Sequence, residues 1–561
     1  LKGCDVLHGA GVSQRMRGIA TAVCAVVLSM AAAAAGAAPA PPAPAPDAGA
    51  WFGLPLPGPA TEQVVDFSRV DLPMISAPPV ADAPELDGQK MLRYVSDVVA
   101  FSYASRDAGE RSWGRLAGTP WAEHTVDYVA EEFRRAGLVD IVKSEVPFLG
   151  IDRTASDWHL TLLGLPEFGP GSANVELRSA FPMGQRPEGP GLPAKDETLP
   201  PITTLAVTAP VVWVGAGTPA DLAGRNVSGK IAVLRVDPAP AIFYSNAARV
   251  LPQQLVNAGA AAVIEIYAAP GNLQVHFGSC VDAPCFMLGG EDGEFLMMTI
   301  AKAAAANVQD KLQLSLSQTI VNSRGLHGFL LIGKVAGRSH AENLIVSAHS
   351  DAWFAGANDN ASGVAALIAL AKHYGHGHRP LHDMYFVLSP GHHSPTGATQ
   401  SLVKRHPEIA PANIFTINLE HIGGQGSYPS TFNARGMGPS TSRYGNAEFL
   451  YEPVNWDSPG REIMGAPLTA TVKSALAAAA QRAQFTAPSR IAVGAIAELA
   501  PVVAAGATGV QDVEVNIWYH TSGDTVATVG ADTLQRAAVF YRDLLDHMDR
   551  LSRAAVRAGA D

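Results

Sequence analysis

Residues 343–363 read NLIVSAHSDAWFAGANDNASG, and no other stretch restricts the fold as tightly. The apolar run Leu344-Ile345-Val346 predicts a buried strand. His349 and Asp351 follow at its carboxyl end, and a loop rich in Gly, Asn and Asp then carries Asp359. A helical pattern begins at Ser362-Gly363. Such a unit presents polar side chains at the carboxyl edge of a sheet, where ligands bind in open α/β folds. His349 offers an imidazole nitrogen to a metal. Asp351, two residues on, is placed to accept the other ring N–H and fix the tautomer. Asp359 has two carboxylate oxygens, enough to bridge two cations.

The surrounding pattern agrees with an α/β class. Apolar strands are predicted at 328–335, 343–348, 384–388 and 414–419, and helices at 363–374 and 468–483. That alternation argues for a mixed, mostly parallel sheet flanked by helices. Ala122, Val126, Val129 and Phe133 recur at three- and four-residue steps, the stripe of a buried helix face, with Gly137 as a natural C-cap. The last long helix, 534–548, carries a similar stripe through Leu534, Ala538, Tyr541 and Leu545. From about Thr203 the texture changes, with a strand at 230–236 and a helix end turning into a buried strand at 255–264. A chain of 561 residues has room for two or three domains.

A net charge of -11 leaves no electrostatic footprint for nucleic acid. Met16-Arg17, the apolar residues 19–35 and the small residues Gly36-Ala37-Ala38 form a secretory signal pattern. The apolar part is short for a membrane span. A secreted or periplasmic protein without stable membrane insertion is expected, with a Pro/Ala-rich linker at 38–48. Cys4 and Cys24 fall in the segment to be removed. Cys280 and Cys285 remain, and in an exported context they predict a disulfide.

The string Gly356-Ala357-Asn358-Asp359-Asn360-Ala361-Ser362-Gly363, preceded by H-x-D, resembles the co-catalytic zinc aminopeptidase family. Aminopeptidases S and Y, glutamate carboxypeptidase, glutaminyl cyclase and the non-enzymatic transferrin receptor are its relatives. Arg115-Leu116-Ala117-Gly118-Thr119-Pro120 is similar to the R-x-x-G-T-P segment at the start of that catalytic domain. Residues 201–322 resemble the smaller, β-rich protease-associated domain often inserted in it. The resemblance implies a signal region at 1–38, an extension at 39–85, a catalytic domain split between 86–200 and 323–561, and the insertion between.

The resemblance also implies a ligand set. His349, Asp359 and Glu420 would hold one metal, and Asp359, His393 and His520 the other. Zinc is the implied cofactor, two ions or one, with a peptide or protein as substrate. Glu420 stands in Asn418-Leu419-Glu420-His421-Ile422-Gly423, where the family has Asp. His421 replaces a Met and reads as packing. His520 lies in Trp518-Tyr519-His520-Thr521-Ser522-Gly523-Asp524-Thr525, similar to Y-H-T-x-x-D-T. The family's Glu-Glu pair, general base then ligand, is absent. Counting from Phe386 puts His392 and His393 there; counting back from Gly397 puts Gly391 and His392 there. The first register is preferred; in it His392 is the base and His393 the ligand, with Asp351 orienting His349, and Glu498 and Tyr519 are candidates for substrate contact. A catalytically inactive homologue acting as a binding or receptor-like protein is the alternative, favoured by the loss of the Glu pair.

Overall fold

The computed structural model describes Leu54, residues 56–58 and residues 76–559, apart from 170, 184–198, 239–245, 270, 278–279, 281–282, 378, 395–398, 431–449, 458–460, 486–489 and 515. The signal region 1–38 lies outside the described residues, and so does Gly397. Among the described residues no helix is long and apolar enough to cross a membrane.

Residues 56–561 contain two eight-stranded sheets. The strands of the first are β1 Val139–Pro147, β2 His327–Val335, β3 Ser339–His349, β4 His382–Ser389, β5 Asn413–Glu420, β6 Arg461–Ala466, β7 Arg490–Val493 and β8 Gly509–Glu514. Their spatial order is β7-β6-β8-β5-β3-β4-β2-β1. The middle four, β8, β5, β3 and β4, run parallel. β2 and β6 run antiparallel to their inner neighbours. The carboxyl ends of the four parallel strands therefore meet on one edge. The apolar runs seen in the sequence are buried there because helices cover both faces of a parallel sheet.

Helix α1, Gly88–Asp107, is capped by the Asp87 carboxylate on the Lys90 N–H. Helix α2 spans Pro120–Arg135 and buries Ala122, Val126, Val129 and Phe133. Helix α3, Gly363–Gly375, is apolar around nearly its whole circumference and packs against β3, β5, α1 and α2. Helix α4 is Ala470–Ala483, and helix α5, Ala531–Met548, packs on α1 and α4.

The second sheet runs in the order Val175–Glu176, Asp152–Leu162, Gln313–Ser323, Ile202–Trp213, Ile231–Val236, Ala262–Tyr267, Cys285–Leu288, Phe181–Pro182. Asp152–Leu162 was expected in the first catalytic segment. It pairs instead along its length with Gln313–Ser323. Continuous backbone pairing thus draws residues before 201 into the second sheet. Cys280 and Cys285 are joined by a disulfide at the start of one of its strands.

Candidate metal centre

Four buried histidines, the half-buried His392 and one buried aspartate converge at the carboxyl edge of the parallel strands. His349 ends β3, His392 and His393 follow β4, His421 follows β5, and His520 lies beyond β8. Asp359 stands at the middle of them. Its Oδ1 is 3.4 Å from His349 Nε2 and 2.9 Å from His421 Nε2. Its Oδ2 is 3.3 Å from His393 Nε2 and 3.1 Å from His520 Nε2. Each oxygen of one carboxylate thus faces a pair of imidazoles.

The tautomers matter here. His349 Nδ1 lies 3.0 Å from the Asp351 carbonyl oxygen, and His520 Nδ1 lies 3.2 Å from the His276 carbonyl oxygen. A carbonyl can only accept, so each Nδ1 carries a proton, and in the form with no second proton Nε2 turns its lone pair toward Asp359. Lone pairs of nitrogen and oxygen then oppose one another at about hydrogen-bond distance. Only a proton or a metal cation between them relieves that. His349 Nε2, Asp359 Oδ1, His421 Nε2 and both nitrogens of His393 have no hydrogen-bond partner. Such orphaned, buried, convergent donors fit a cation.

The loop around Asp359 is held by main-chain contacts. The Asp524 carboxylate accepts the N–H groups of Asn358 and Asp359, at 2.9 and 3.0 Å. Burial raises the Asp524 pKa to about 6, against the lowering effect of those two bonds. Asn360 Nδ2 donates to the Leu419 carbonyl, and the side-chain oxygens of Asn360, Ser362 and Asn358 accept the N–H groups of His421, Ile422 and Gly423. The alternate residues of the Asn-Asp-Asn-Ala-Ser string therefore fasten the end of β5. The buried Arg115 guanidinium donates to the carbonyls of Ser350, Ala355 and Gly356 and to Ser102 Oγ. Burial lowers its pKa to about 10, with Asp359, Asp524 and Asp351 opposing the shift.

Several predicted residues stand elsewhere than expected. The nearer partner of His349 Nδ1 is the main-chain oxygen of Asp351, and the Asp351 carboxylate is 3.5 Å away. That carboxylate accepts the N–H groups of His392 and His393, both at 2.8 Å, and so aims the two rings. Glu420 was expected beside His349 and Asp359. His421 joins His349 and Asp359 in one group of donors, and Glu420 groups with His392 and Glu498, with its Oε1 3.9 Å from His421 Nε2. The reason is backbone geometry: His421 has φ of 52°, which breaks strand alternation and swings its ring toward Asp359. Glu498, a candidate for substrate contact, is fully buried behind His392, 3.0 Å from its Nδ1. Tyr519 is buried too, with its ring stacked on His520 at 3.9 Å between centroids.

His392 is thus enclosed by Glu498 on Nδ1 and by Glu420 Oε1, 3.5 Å from Nε2. Burial disfavours its charge, but the two carboxylates outweigh burial and push its pKa well above the ordinary value. His393 goes the other way: burial lowers it to about 4 despite Asp359, so it is a neutral imidazole at physiological pH. The donor groups that come within ligand reach of one another are Asp359-His393-His520, His349-Asp359-His421, His349-His392-His393 and His392-Glu420-Glu498.

Residues 331–457 match the model of peptidase family M28. No curated protein matches the sequence. Among solved structures, a peptidase M28 precursor from Shewanella amazonensis SB2B is 14% identical with a TM-score of 0.58, over 83% of this chain and 96% of that one. BSAP, a zinc aminopeptidase from Bacillus subtilis, is 16% identical with a TM-score of 0.52, over 82% of this chain and 94% of that one. At these identities the likeness is one of fold.

The matched segment contains His349, Asp359, His392, His393, Glu420 and His421; His520 and Asp524 lie beyond it. Asp524 was read from sequence only as part of a motif, and its two main-chain contacts give it a role. Asp524→Ala should release the Asp359 loop and lower metal affinity by about 10–100-fold, read by competition with a chelator.

Proposed function

We propose that the chain is a zinc-dependent metallopeptidase that hydrolyses amino-terminal peptide bonds of peptide or protein substrates, exported after removal of residues 1–38. The observation that supports it most is Asp359, with an imidazole pair on each carboxylate oxygen and Nδ1 of His349 and His520 committed to carbonyls. His393, His520 and Asp359 would hold one zinc, a two-His, one-carboxylate set of the kind catalytic zinc uses. His349, His421 and Asp359 would hold the other. Zinc bound there supplies a Lewis acid for the scissile carbonyl and lowers the pKa of water.

The chain's own groups do the rest. Glu498 holds His392 by Nδ1, leaving Nε2 as the atom that exchanges a proton. Positive charge at the neighbouring donors would counter Glu420 and Glu498 and bring His392 toward neutrality, where it can accept that proton. Asp351 keeps both His392 and His393 aimed through their main-chain N–H groups. The lobe on the second sheet is proposed as the protease-associated insertion.

A second reading, a zinc-binding protein without turnover, is favoured by one observation: His392 sits between two glutamates where the family has a free carboxylate base. Zinc analysis and an aminoacyl-nitroanilide assay separate the two. The peptidase should carry about two zincs per chain and lose its turnover to a chelator. Bound zinc with no turnover selects the second reading, and absence of zinc removes both.

Metal uptake should also release protons. Burial opposes the charge on His349, but Asp351 and Asp359 raise its pKa to about 10 when no cation is bound. At pH 7 the metal-free ring is charged, and a cation at Nε2 must expel that proton. Zinc affinity should therefore rise with pH between 6 and 9. Calorimetry in buffers of different ionisation enthalpy should show about one proton released at this group; a pH-independent affinity would contradict the arrangement.

A further inference from the structure

Residues 274–277 belong to the lobe of the second sheet, yet they pair with the segment that bears His520. The His276 N–H donates to the His520 carbonyl at 2.9 Å, and His520 Nδ1 donates back to the His276 carbonyl at 3.2 Å. Val275 and Thr521 form an antiparallel bridge. The Gln274 N–H donates to Ser522 Oγ, and the Ser522 N–H to the Gln274 carbonyl. One strand over, Tyr267 Oη donates to the Ile517 carbonyl at 2.6 Å. The lobe thus grips both flanks of His520.

That grip matters because His520 has φ of 54°, a left-handed conformation that L residues adopt at a cost. Something must hold it. The 274–277 segment is itself anchored outside the lobe. The His276 ring stacks flat on the buried Trp353, 3.6 Å between centroids, and Trp113 Nε1 donates to Gln274 Oε1 at 3.0 Å. The disulfide at Cys280 secures its far end to the second sheet.

We propose that the lobe is part of the metal centre: residues 274–277 fix the tautomer and the backbone of His520, and the stack of His276 on Trp353 makes His276 a positioning residue for zinc. The inference rests on the zinc-binding reading above. It implies that metal affinity at Asp359-His393-His520 depends on docking of the lobe, while His349-Asp359-His421 depends on it less.

The test is a zinc titration of the full chain against a chromophoric chelator. His276→Ala removes the stack and should weaken one of the binding steps about tenfold or more. His276→Phe keeps a flat ring on Trp353 and should restore it. His421→Ala should weaken the other step. If His276→Ala fails to fold, Gln274→Ala, which removes only the acceptor for Trp113, takes its place with the same readout and a smaller loss. Zinc affinities unchanged in these lobe variants, or loss on the same step as His421→Ala, would overturn the inference and leave the zinc reading intact. A wild-type chain that binds no zinc would end the zinc reading, and the inference with it.

Discussion

Asp359→Asn should strip the chain of its zinc and cut peptide hydrolysis by about a thousandfold or more. The effect is large because one carboxylate serves both groups of ligands. Its Oδ1 faces His349 and His421, and its Oδ2 faces His393 and His520. Asn supplies one neutral oxygen and turns an N–H₂ toward the other imidazole pair, so one side loses its acceptor and gains a donor. No other anionic group belongs to either proposed set, so neither set keeps a carboxylate ligand. The main-chain N–H of residue 359 still reaches Asp524, and the fold should persist, with near-ultraviolet circular dichroism like that of the wild type. Retention of about two zincs per chain in this variant would refute the bridging role.

His392→Gln should retain zinc and lower kcat by about 100-fold or more, the usual contribution of a positioned acid–base group. The imidazole is the group with a free path for a proton: Nδ1 is held by Glu498, and Nε2 faces the centre beside Glu420. Its ring also stacks on His349 at 4.4 Å, which keeps it in register with the ligands. The pH profile makes the test specific. Glu498 and Glu420 raise the His392 pKa against burial, and a base must be deprotonated to act, so Glu498→Gln should move the acidic limb of kcat to lower pH. An unchanged limb in Glu498→Gln, or unchanged kcat in His392→Gln, would take the proton-transfer role away from His392. Residual zinc binding with no turnover in the wild type would make the comparison moot and select the binding protein instead.

Much of the architecture was legible because it is written locally. The apolar runs of β2 to β5 have no alternation, which a strand buried on both faces requires. The stripes of α2 and α5 have the helical period, and each lies against the core. The G-A-N-D-N-A-S-G string was legible as a site, and the structure adds why its alternate residues are polar: they hold the end of β5. The membership of Asp152–Leu162 was not legible, since its partner, Gln313–Ser323, lies about 160 residues away and no local pattern names it.

Within the centre, sequence alone singled out side chains with the chemistry to hold a cation: His349, Asp359 and His520 each sit in a string whose residue types and order restrict their place, and His393 depends on the register counted from Phe386. Tertiary structure decided which of them meet. Strand alternation makes Glu420 and His421 point to opposite sides, so a reading by position selects one of them. The positive φ at His421 cancels that alternation: its imidazole reaches Asp359, and Glu420 Oε1 stays on the same side, 3.5 Å from His392 Nε2 and 3.9 Å from His421 Nε2. Glu498 and the His276 carbonyl reach the centre from distant parts of the chain, and only the packing of sheet, lobe and loop puts them there. A side chain's chemistry is carried by its own residue, but its partners are set by backbone turns and long-range packing that no short window of sequence contains.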